Sequence, residues 1–304
     1  MRTLIRDVRV FDGEQTAART DVLIDGNRIA EPDSRRVDVE VDGTGKTLLP
    51  GLIDAHTHTS DGSLAQALAH GVTTELDMFC LPANLDKQRR LAAESDNVAD
   101  LRSAGLLATA PGGHPSQLLA GMDQAMLDGL GATAGTSDGV ADASQAKTFV
   151  DARVAQGIDY LKVVIDGGST YGTVLPALAP GIVAALVEAG QAAGLLTIAH
   201  ATTAREVEIA LDAGIDGLAH VYADAGPEDS TARDLATRIA SVTSAPARYF
   251  GLTDRGRIAP GSAPTCYWST ATPPTTSPQP ARSPKSGAAA PPNPVIARTP
   301  AVRS

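Results

Sequence analysis

Cysteine is nearly missing: Cys80 and Cys266 are the only two in 304 residues. Two thiols cannot build a disulfide framework, so a reducing, cytoplasmic setting is expected. Aromatic residues reach only 3%, which leaves Ala, Val, Leu and Ile to build a core. Positive charge is short as well, with 25 Lys and Arg against 35 Asp and Glu and a net charge of −10. That balance argues against nucleic acid or an anionic membrane surface as a partner. No apolar run reaches the roughly 18 residues of a membrane-spanning helix. The opening MRTLIRDVRVFDG sets charges inside its apolar run, which is not the pattern of a signal peptide. The rest of the composition, 43% hydrophobic and 20% charged, is that of a globular chain long enough for one large α/β domain.

Composition shifts sharply near Pro260. Residues 260–304 hold no Asp or Glu and more than half of the chain's 20 prolines. With no periodic apolar pattern to offset ordering entropy, residues 262–304 are expected to be a disordered Pro-rich tail. Shifted by one codon phase, the codons of Ala263–Pro273 permit the reading RADLLLVDGDP, a strand and turn, so the tail has the marks of a frameshift.

Residues 1–50 alternate apolar and polar side chains around the turn signals Asp12-Gly13 and Asp25-Gly26-Asn27. They are expected to form an N-terminal β module. After Pro50-Gly51 one junction recurs, in which a helical segment ends in a small residue and Gly and an apolar strand follows. The copies are AHGVTTELDM, SAGLLATAP, AQGIDYLKVVI, AAGLLTIAH and DAGIDGLAHV, with Gly71, Gly105, Gly157, Gly194 and Gly214. Gly in this place caps a helix in the left-handed conformation. Helices alternating with buried strands indicate parallel βα units. With GLIDAH ahead of the first junction, six strands are expected. Helices are expected over LDKQRRLAAESDNVADLR, DASQAKTFVDARVAQ, PGIVAALVEAGQAA and TTAREVEIALDA.

This grid gathers the chemistry. His56 and His58 close the first strand, and alternate strand residues point the same way. Lys162, His200 and His220 fall near the C-terminal ends of later strands, the rim on which a (β/α) barrel keeps its active site. Four imidazoles at strand ends suit Zn²⁺ or a similar divalent ion. A strand-end lysine among them can react with CO₂ and become an anionic bridge between two cations. His114, in APGGHP, fits either a substrate contact or an ordinary loop histidine. Tyr222 fits either a hydroxyl donor to a substrate carbonyl or a packing role. His70 is expected to cap a helix or lie on the surface, and Cys80 to be buried.

LLPGLIDAHTHT followed by Lys162, His200 and His220 resembles the amidohydrolase superfamily of metal-dependent hydrolases. GVTTELDM, APGGHP, YLKVVIDGG and AHATTAREVEIALDAGIDGLAH are most similar to its imidazolonepropionase-like and prolidase-like branch. The resemblance implies an α/β chain with a (β/α) TIM-like barrel and a small β-sandwich module. It also implies a binuclear zinc site, with His56 and His58 on one ion, His200 and His220 on the other, and carboxylated Lys162 between them. The implied reaction is attack of a metal-bound hydroxide on a small-molecule amide, lactam, dipeptide or ester.

The pattern departs from the family after His220. The family's barrel has eight strands and a catalytic Asp ending the eighth. The interval from His220 to Arg257 is too short for two more βα units, each βαβ unit taking about 30 residues. Asp224 and Asp229 lie nearby without the register of that Asp. The barrel is therefore expected to be truncated over 51–250, with 251–261 returning to the β module. Two functions follow from these expectations: a metal-dependent amidohydrolase, or a non-catalytic chain that keeps the metal ligands without the catalytic Asp.

Overall fold

The structure is a computed structural model that describes residues 1–13, 15–130, 139–220, 222, 224, 252 and 266–269. The N-terminal alternation becomes a sheet. β1 (Arg2–Phe11) pairs antiparallel with β2 (Thr16–Asp25), which pairs antiparallel with β3 (Arg28–Ala30). β4 (Val39–Asp42) and β5 (Thr47–Pro50) both pair parallel with β1. Inward residues Ile5, Val8, Val10, Val22, Ile24, Ile29 and Leu48 make its core. The sheet is completed by β12 (Cys266–Ser269), which pairs antiparallel with β5 in the register Cys266↔Pro50 to Ser269↔Thr47. Among the described residues the module is thus one six-stranded sheet. The expected disorder from residue 262 is corrected at Cys266–Ser269. These four residues include Tyr and Trp, which favour strands, and the open edge of β5 supplies their hydrogen bonds.

The βα units follow as β6 (Leu52–Thr57), α1 (Ser63–Ala69), β7 (Val72–Asp77), α2 (Pro82–Glu94) and β8 (Asp100–Ser103). Then come α3 (Ser116–Ala120), α4 (Gln124–Leu130), α5 (Ala146–Ala155), β9 (Tyr160–Val164), α6 (Pro180–Ala192), β10 (Leu196–His200), α7 (Ala204–Asp212) and β11 (Gly217–Leu218). Two parallel three-stranded sheets result, β6-β7-β8 and β9-β10-β11. The segment after β8 stitches them together. Ala104 N donates to Asp77 O at 2.9 Å, Ala108 N to Lys162 O at 2.8 Å, and Val164 N to Ala108 O at 2.8 Å.

All five junction glycines have positive φ, from 60° at Gly105 to 86° at Gly71. Gly105, however, follows a strand rather than a helix. The third strand lies at Asp100–Ser103, inside the stretch expected to be helical to Arg102, and α2 stops at Glu94. The helix ends because Ser95 turns extended and the following Asp-Asn pair favours a turn.

Helices pack on the outer face. Val183, Leu186 and Val187 of α6 and Val150 of α5 meet Leu161 and Val163 in the largest apolar cluster. Gly190 lets α6 lie close, since a Cβ there would come within 2.9 Å of Leu161 and Thr197 side-chain atoms. The inner face holds a second cluster of Ile53, Leu76, Met78, Ala104, Tyr160, Ile198 and Leu252. No helix among the described residues is long and apolar enough to cross a membrane.

Candidate active site

The strands deliver five imidazoles to one end of the arc. His56 lies in β6 and His58 one residue beyond it, with ring centroids 5.4 Å apart. His200 is the last residue of β10, and His220 follows β11 by two positions. The rings of His56, His220 and His200 come together here: the His56 and His220 centroids stand 4.6 Å apart, and those of His220 and His200 4.4 Å. His114, from the loop after the third strand, stacks on His200 at 4.7 Å and on Tyr171 at 5.9 Å. The Gln117 amide lies 2.8 Å from His114 Nδ1.

Lys162 is in the middle of β9 rather than at its end, paired in register with Ile198. It is 2% exposed, and its Nζ has no hydrogen-bond partner among the described residues. Removal from water pushes this amine down to about 7. The same cause, burial, leads at each imidazole, and the Lys162 charge adds to it at all five. His56 is pushed down to about 3, His200 to about 2 and His220 to about 4. His58 and His114 move in the same direction. At neutral pH the rings are therefore uncharged, and a neutral imidazole has one nitrogen lone pair that can serve an electrophile. Among the described residues no group of three or more His, Cys, Asp or Glu side chains is placed so that it could hold a metal ion.

Buried carboxylates support this end of the arc. Asp77, at the end of β7, has no solvent exposure and accepts Thr59 N–H at 3.0 Å and the Ser103 hydroxyl. Burial raises its carboxyl to about 7. Glu75 accepts the Thr59 hydroxyl at 3.1 Å. Both hold the turn directly after His58. Asp166, 1% exposed, sits 3.1 Å from His200 Nε2 through Oδ2. Asp166 and Tyr171 also lie beside these histidines, and neither is among the candidates expected from the sequence. The period-2 register of YLKVVIDGG offered a signal for Asp166, since it falls in step with Lys162 and Val164. Tyr171 had no such signal.

The remaining candidates have other places. Tyr222 is 6% exposed and packs with Ala201 and Val207. His70 caps α1, its Nδ1 lying 2.9 Å from Gln66 O. Cys80 is buried, and burial pushes its thiol up to about 12. Asp224 accepts Ala204 N–H at 2.7 Å at the start of α7. Asp229 and the stretch in which a seventh and an eighth strand would fall lie outside the described residues.

The fold is similar to that of solved amidohydrolase-type proteins. A solved amidohydrolase superposes with a TM-score of 0.69 at 18% identity, over 90% of this chain and 93% of the other. A putative prolidase from Bifidobacterium longum gives 0.64 at 16%, over 90% and 89%. A Xaa-Pro dipeptidase with bound methionine gives 0.57 at 22%, over 72% and 61%. Among curated proteins, an adenine deaminase of Desulfatibacillum aliphaticivorans is 38% identical over 72 residues. A 5'-deoxyadenosine deaminase of Methanothermobacter thermautotrophicus is 39% identical over 64 residues. These matches span 22% and 20% of this chain, but only 12% and 14% of those relatives. No protein-family model matches the chain.

Proposed function

We propose that this chain is a metal-dependent amidohydrolase acting on a carbon–nitrogen bond of a small amide, lactam or dipeptide, or on an ester. Residues 51–250 are read as the part of a (β/α) barrel that carries strands one to six. The observation that carries the reading is Lys162: a buried amine with no hydrogen-bond partner among the described residues, whose charge is felt by five imidazoles. An unpaired buried polar group is costly, about 1–3 kcal/mol even when uncharged, so its position calls for a partner. The donor chemistry fits two divalent ions such as zinc. His56 and His58 would hold one, His200 and His220 the other, and carboxylated Lys162 would bridge them.

Carboxylation uses the lysine's own chemistry. The neutral Nζ attacks the carbon of CO₂, a C–N bond forms, and one proton leaves to water, giving an anionic carbamate. A bound metal pair supplies a water of lowered pKa and a polarised substrate carbonyl. The protein's part is to hold the donors uncharged and fixed on strand ends. His114 and Tyr171, stacked on one side of His200, offer a flat surface on which to orient a substrate.

Protein expressed with zinc and ¹³C-bicarbonate tests the reading. Elemental analysis should find bound zinc, and a carbamate ¹³C signal should appear and vanish in Lys162→Ala together with most of the metal. Zinc-dependent hydrolysis of N-acyl amino acids, lactams or esters completes the expected result. A folded sample that takes up no metal and shows no carbamate overturns it.

A further inference from the structure

His200 has a buried partner that its role as a metal donor does not explain. Asp166 follows β9, and its Oδ2 lies 3.1 Å from His200 Nε2. His200 is 6% exposed and Asp166 is 1% exposed, so water does not compete for either group. A neutral imidazole carries one N–H, and an ionised carboxylate only accepts. We infer that Asp166 is a positioning residue that fixes His200 as the Nε2–H tautomer, leaving Nδ1 as the ring's only ligand atom.

The carboxylate is held for this task from several sides. Its Oδ1 accepts Gly168 N–H at 2.7 Å and faces the Thr202 hydroxyl at 3.4 Å. The surrounding turn is itself tied down by Glu206. That side chain accepts Gly167 N–H at 3.0 Å, Thr202 N–H at 2.7 Å and Thr203 N–H at 2.9 Å. Glu206 belongs to α7, the helix that follows His200. One buried acid therefore locks the loop after β9 to the residues just beyond His200. A second acid, Asp166, turns that rigidity into a fixed ring orientation. A histidine with one ring nitrogen held by a carboxylate and the other left for a metal is a recurrent arrangement for tuning ligand basicity.

The donor role of His200 rests on the proposed function, but its tautomer does not, so the two separate experimentally. The test uses the metal-free full chain labelled with ¹⁵N-histidine, with His200 assigned from the signal lost in His200→Gln. Long-range ¹H–¹⁵N correlation should show His200 protonated at Nε2. Asp166→Asn is the informative variant. Its amide oxygen can still accept Gly168 N–H, which keeps the turn, while its NH₂ then faces His200 and demands an acceptor. The ring should switch to the Nδ1–H tautomer with little change in melting temperature. Zinc affinity should fall about 10–100-fold, with Asp224→Asn as an unaffected control. A wild-type His200 protonated at Nδ1, or an Asp166→Asn variant with unchanged tautomer, overturns the inference. A tautomer switch in a protein that never binds zinc supports Asp166 as the orienting group and overturns the metal reading instead.

Discussion

Asp77 is the buried acid with the clearest consequence for stability. Its folded-state carboxyl is raised to about 7 from an ordinary 3.8, chiefly by burial. The folded protein therefore holds this proton more tightly than the unfolded chain. The stabilisation is complete below about pH 4 and is lost as pH rises through about 7. Asp77→Asn keeps a neutral acceptor and removes the titration. Urea unfolding at pH 4, 6 and 8 should show wild type losing stability relative to the variant across that window, and a constant difference would contradict the assignment. At this scale the sequence was most informative where residues share a register. His56, His58, Lys162, His200 and His220 could be singled out because each lies in or just after a strand of the βα repeat. Asp166 sits on the same repeat, but the Gly-Gly after it reads as a turn, and the role proposed for it rests on a contact with a residue 34 positions away. No local pattern encodes that contact.

The elements that position the site are short and depend on their caps. The Thr203 hydroxyl accepts Glu206 N–H at 3.3 Å, and Glu206 returns the bond to Thr203 N–H, closing a capping box at the start of α7. Thr203→Ala should lower stability by about 1 kcal/mol, measured by thermal melting, with the loss confined to the His200–His220 segment in hydrogen exchange. Most of the βα order was legible from Gly placement, because a left-handed glycine after a helix is a backbone requirement. Gly105 broke the rule for a physical reason. A positive φ also serves a strand that bends, and the helix ahead of it had already stopped at Glu94. The strand at Cys266–Ser269 was illegible because the proline-rich composition around it outweighed a four-residue preference. Pairing with β5, more than two hundred residues away in sequence, supplies what the local sequence lacks.

On the scale of the whole molecule, that pairing joins distant parts of the chain. β5 has β1 on one side and β12 on the other, and it leads directly into β6 and the histidines. A chain ending at Gly261 would leave the β5 edge bare, and bare edges recruit other strands. The shortened protein should melt at a lower temperature and form larger species in size-exclusion chromatography. A monomer with unchanged melting would show that β12 contributes nothing.

The sequence contains a single tryptophan, Trp268, and it lies within β12. Scarcity becomes an optical advantage here. All the indole emission of the protein comes from one position, on the edge strand that pairs with β5, which leads into β6. Emission wavelength and quenching then follow the docking of that one strand without any attached dye. Titrating zinc while watching this signal asks whether events among the histidines are felt at the far edge of the sheet.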